Sequence, residues 1–106
     1  MRESKIKCLL VVPRVNPEVV KMFNVLHEYQ NAVDGWIQAL PLEDGAYLIC
    51  NESGKLIGLP TNRIVGNDVI VGAFLIVGAD RNGEFISLTN QQIEYYSNRF
   101  RIAKEH

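Results

Sequence analysis

Residues 48–63 read LICNESGKLIGLPTNR, and the way this stretch divides decides how the rest of the chain is understood. An apolar run ends at Cys50, and Asn51, Glu52, Ser53 and Gly54 make a turn. A second apolar run, Lys55 to Leu59, stops at Pro60. Short apolar runs bounded by turn residues are strand signals, and a proline cannot donate to a ladder. The expectation is a strand, a turn and a proline-stopped return, followed by the polar cluster Thr61, Asn62 and Arg63. Asn51, Lys55, Asn62 and Arg63 place amide and cationic donors on loops held by strands, where binding residues concentrate. Arg63 suits planar recognition of phosphate or carboxylate.

Working back from Cys50, Ala46 to Cys50 is the return arm of a hairpin. Its turn is Asp44-Gly45, because glycine takes the positive φ such turns require. Trp36 to Leu42 is the outgoing arm, with Trp36, Gln38 and Leu40 on one face and Ile37 and Ala39 on the other. Trp36 and Tyr47 join the candidate binding residues as stacking surface. The segment before the hairpin starts like a helix at Asn16-Pro17-Glu18. Asn24 is also a good cap, however, and Leu26, Tyr29, Gln30 and Val33 follow it at helical spacing. The reading is a strand over Val19–Phe23 and a helix over 25–34, with Gly35 as its left-handed stop. At the start, Ile6 to Val12 reads IKCLLVV, a strand buried on both faces and ended by Pro13.

Working forward, Asn67 and Asp68 turn the chain into one central strand, Val69 to Val77, with Gly72 marking a bulge or a close backbone approach. The triplet Ile-Val-Gly recurs at residues 64, 70 and 76, too few copies for a solenoid. Asp80 to Gly83 is a tight turn and Glu84 to Ser87 a closing strand. Thr89 and Gln92 form a capping box, with Leu88 and Ile93 at the positions of a hydrophobic staple. Ile93, Tyr96 and Phe100 then share one helical face. The expected fold is α+β: a single domain over 1–106 with one mixed, mainly antiparallel sheet of about five to seven short strands. Its two helices lie at about 25–34 and 90–103.

With 106 residues and 47% hydrophobic content, the chain has material for one folded core. A formal charge of -1 creates no overall field to attract nucleic acid or acidic membrane. Basic residues nevertheless gather near both ends: Arg2, Lys5 and Lys7, then Arg99, Arg101 and Lys104. They would make a local patch if the ends met. Cys8 and Cys50 sit inside apolar runs, as small hydrophobes do, which points to a reducing, cytoplasmic setting. No apolar run approaches the ~20 residues that cross a bilayer, so no membrane partner is expected.

Catalytic patterns are sparse. His27 lies on the first helix with no nucleophile at a telling spacing, and neither cysteine carries a sign of activation. Two cysteines and two histidines at these separations match no zinc pattern. Residues 80–84 lack the length and distant acid of a calcium loop, and Gly54 and Gly58 open no phosphate loop. No metal and no cofactor are expected.

The runs AVDGWIQALPL, LICNESGKLIGLPTNR and IVGAFLIVGADRNGEFISLTNQQIEYYSNRF resemble a family of small domains of unknown function encoded by phages, plasmids and conjugative elements. The resemblance spans roughly Ala32 to Phe100 and is densest over Asn51–Leu56, Leu59-Pro60 and Asn62-Arg63. Where that family tends to carry a glycine pair before the aromatic, this chain has Asp34 and Gly35. The resemblance implies a mixed α+β domain in a mobile-element setting, and counter-defence by association. It implies no reaction.

The leading expectation is a non-enzymatic accessory protein that sequesters a small anionic ligand, for instance a nucleotide-derived immune signal, or blocks a host defence protein. Nucleic-acid binding through the basic termini, an oligomeric interaction module and a carboxylate-based enzyme are the alternatives.

Overall fold

The computed structural model describes residues 4–102. Eight strands and two helices follow in the order β1 (Lys5–Val11), β2 (Glu18–Phe23), α1 (Leu26–Val33), β3 (Ile37–Pro41), β4 (Ala46–Asn51), β5 (Thr61–Val65), β6 (Asp68–Val71), β7 (Phe74–Ala79), β8 (Phe85–Ile86) and α2 (Asn90–Arg99). The main sheet runs β2-β1-β7-β4-β3, with β8 also pairing with β7. Each pairing is antiparallel, and the α+β class holds.

β7, β4 and the second half of β1 are apolar on both faces because helices cover both. Side chains alternate along a strand. Leu9, Val11, Leu48, Cys50, Phe74 and Ile76 therefore face one way, toward Tyr96 of α2 and Phe100 just after it. Ile6, Cys8, Ile49, Leu75 and Val77 face the other way, toward Tyr29 and Val33 of α1. Tyr96 is fully buried and its hydroxyl donates to the Glu43 carbonyl at 2.8 Å. Burying such an aromatic contributes about 1.5–3 kcal/mol.

The hairpin turn at Asp44-Gly45 has positive φ at both residues, 65° and 71°, the pattern whose twist matches the flanking strands. The α2 start is also as expected: Thr89 Oγ1 accepts from Gln92 N at 3.1 Å, and Gln92 Oε1 accepts from Thr89 N at 2.9 Å.

Several expectations are corrected. There are two sheets, not one: β5 and β6 form a separate hairpin packed over the α2 side of the main sheet through Ile70 and Val65. Val69–Val77 is not a continuous strand, because Gly72 at φ +72° turns the chain between β6 and β7. Gly72 is a close approach all the same: a Cβ there would lie 2.7 Å from Leu59 Cδ1. Lys55–Leu59 is not a return strand but a series of turns closed by Ile57 N to Ser53 O and Leu59 N to Gly54 O.

Asn24 does not cap α1. It is buried, donates to the Phe85 carbonyl and accepts from the Tyr29 hydroxyl, while the N-cap position is Val25. The left-handed stop is Asp34 (φ 64°, ψ 42°) rather than Gly35. Helix α2 ends at Arg99, short of the expected 103, which lies outside the described residues.

Candidate functional site

The four polar residues of the opening stretch are scaffolding contacts. Asn51 is buried; its Nδ2 donates to the carbonyls of Val33 and Asp34, both at 3.1 Å, and its Oδ1 accepts from Ser53 N at 2.8 Å. It thus satisfies the C-terminal carbonyls of α1, which the helix itself leaves open. Asn62 Nδ2 bridges the carbonyls of Val11 (2.9 Å) and Gly72 (2.8 Å), pinning the β5–β6 hairpin to the main sheet. Arg63 donates from Nε to Phe100 O (3.0 Å), from Nη2 to Val15 O (2.7 Å) and from Nη1 to Asn62 Oδ1 (2.7 Å). Burial lowers its pKa. Lys55 Nζ lies 2.6 Å from Asp68 Oδ1, an exposed ion pair that holds the Asp68 carboxyl below its usual range.

Between this hairpin and β3–β4 lies a cleft of about 280 Å³, lined among others by Gln38, Leu40, Cys50, Glu52, Lys55 and Asp68. Its one lysine is matched by Asp68, and Glu52 adds a further acid. Nothing in this charge balance favours an anion. Burial, and then the Asp68 charge, raise the Cys50 thiol, while burial alone pushes the Cys8 thiol up to about 12. Both stay protonated at neutral pH, the opposite of what a nucleophile needs.

Trp36 and Tyr47 are not brought to that cleft. Tyr47 is half-buried in the α1-side core, its ring 6.2 Å from Phe85. Trp36 is 71% exposed beside a shallow depression at the last turn of α1.

Three lysines of the described residues lie together elsewhere. Alternation places Lys5 and Lys7 on the same face as Leu9, and the register sets Phe23 opposite Lys5, Lys21 opposite Lys7 and Val19 opposite Leu9. Phe23 is 52% exposed, with Lys5 Nζ 4.7 Å from its ring centroid. Lys7 is held firmly by its backbone, which donates to Ser87 Oγ at 2.9 Å and accepts from Leu88 N at 2.9 Å. The ion pairs among the described residues, Lys55 with Asp68 and Arg99 with Glu43, involve none of these lysines. Like charges directly opposite each other on a sheet repel. This face therefore carries a cost that a bound anion would remove.

The two ends of the described chain do not form the expected basic patch. Ile102 N donates to Asn16 Oδ1 in the β1–β2 loop, at the far end of β1 from Lys5 and roughly 20 Å along the strand. Arg2 and Lys104 lie outside the described residues.

A family model described as "Domain of unknown function (DUF3846)" matches residues 6–101. The chain belongs to this family. No curated protein and no solved structure matches it. The DUF3846 span takes in both helices and every strand except Lys5 at the start of β1, together with the Asn51, Asn62 and Arg63 contacts and Lys7, Lys21 and Phe23. The lysine face was missed in the sequence, although a signal was there: Lys5 and Lys7, then Lys21 and Phe23, recur at a spacing of two in consecutive strands.

Proposed function

We propose that the protein is a non-enzymatic binding factor that holds an anionic strand, a single-stranded nucleic acid, on the open face of β1 and β2. The observation that supports this reading is the direct opposition of Lys7 and Lys21, flanked by Lys5 stacked on the exposed ring of Phe23. Cationic side chains track a phosphate backbone and an exposed aromatic stacks a base, a pairing indifferent to sequence. The surface is open rather than concave, which suits an extended strand better than a small anion, since small ligands bind in enclosing pockets. A nucleotide-sized signal is the narrower form of the same reading and would use the same lysines.

The phage and mobile-element setting implied by the resemblance gives such a factor a place as a counter-defence or replication accessory. A reducing cytoplasm fits its two buried, unpaired cysteines. Among the described residues no helix is long and apolar enough to cross a membrane, and no three His, Cys, Asp or Glu side chains gather to hold a metal ion.

Fluorescence anisotropy tests the reading, with a labelled oligothymidylate, the same sequence as duplex, and a labelled mononucleotide. The single strand is expected to bind best, and Lys7→Gln/Lys21→Gln to weaken binding strongly at low salt. Equal binding by the double variant would exclude this face.

A further inference from the structure

The depression beside Trp36 lies by β3, at the opposite edge of the main sheet from the lysines, and its chemistry is different. It is open, about 440 Å³, and lined by His27, Gln30, Asn31, Asp34, Gly35 and Trp36. No lysine or arginine lines it. Asp34 is the one acid in its lining, and the Trp36 carbonyl is held by the Glu52 backbone N–H at 2.8 Å.

The indole sits on a fixed base. The Asp34 and Gly35 amides both donate to Gln30 O, and Asn51 Nδ2 holds the carbonyls of Val33 and Asp34. A platform whose backbone is already ordered loses little freedom on binding.

From this arrangement we infer that Trp36 and Asp34 form a docking site for a guanidinium group, an arginine on an exposed segment of a partner protein. Indole is the strongest of the aromatic faces for a cation, and a planar guanidinium both stacks on it and pairs with a carboxylate. Gln30 and Asn31 offer side-chain carbonyl oxygens to the remaining N–H groups. A phosphate-bearing molecule would meet Asp34 with no lysine or arginine in the lining to offset the repulsion. The site stands independently of the lysine face, and a variant of one leaves the other intact.

Trp36 is the single tryptophan, so intrinsic fluorescence reads this platform directly. Titration with acetyl-triarginine amide is expected to give a saturable change in emission that triglutamate and glucose do not give. Asp34→Asn should weaken it about fivefold, the upper range of an exposed ion pair. Asparagine is well suited to the left-handed conformation at this position, so the variant should fold. Trp36→Phe, followed by calorimetry, should weaken binding further. No saturable response to the arginine peptide, an unchanged affinity in Asp34→Asn, or a response to glucose instead would each overturn the assignment.

Discussion

Arg63 Nη1 donates to Asn62 Oδ1 at 2.7 Å, so the guanidinium orients the amide whose other end bridges Val11 and Gly72. The same guanidinium reaches Phe100 and Val15, joining the end of α2 and the β1–β2 loop to the hairpin. Arg63→Lys keeps the charge but cannot span these acceptors, and should cost about 2 kcal/mol, the range for charge-assisted bonds. Asn62→Ala should cost a similar amount, about 2 kcal/mol for its two bonds to carbonyls. Because Arg63 acts partly through Asn62, the double variant should lose less than the sum of the two. Urea midpoints with unchanged slopes would measure all three, and strict additivity would show that the two residues act separately.

Alkaline pH should weaken the fold. Burial raises Cys8 from 9.0 to about 12, and Tyr96 from 10.0 to about 12, with the Glu43 charge adding to burial for Tyr96. Both groups are neutral when protonated and hold their protons longer folded than unfolded. Their contribution is complete below about pH 9 and is lost as pH climbs toward about 12, because the unfolded chain then binds fewer protons. Urea midpoints taken across that window should fall progressively, and Cys8→Ala should flatten the lower part of the fall. A flat profile up to pH 11 would contradict these shifts.

Thr89→Ala should cost about 1 kcal/mol by removing the cap on Gln92 N. An unchanged urea midpoint would show that α2 does not depend on it. This cap was legible in the sequence because both partners lie within one helical turn, and the Asp44-Gly45 turn was legible for the same reason. Gly72 was not: its conformation depends on Leu59 packed against it and on Pro60, whose carbonyl takes its N–H at 2.7 Å. Asn51, Asn62 and Arg63 looked like free donors because, apart from the Arg63 contact with its neighbour Asn62, their acceptors are 10 to 51 residues away. The lysine face became visible only once the β1–β2 register set Lys7 against Lys21.

Lys21→Gln should raise stability slightly, by about 0.2–1 kcal/mol, since it removes a like-charge pair across the strands. The same substitution should weaken oligonucleotide binding. A gain in thermal midpoint accompanied by a loss of affinity would mark the lysine pair as kept for binding rather than folding. A loss of stability would contradict the repulsion argument.

The most direct test is the slope of log affinity against log salt concentration for a single-stranded oligonucleotide. Three lysines neutralising three phosphates predict a slope of about −2, falling to about −0.7 in Lys7→Gln/Lys21→Gln, which keeps Lys5 alone. Binding absent at low salt, or present with a slope near zero, would contradict the claim that this sheet face holds an anionic strand.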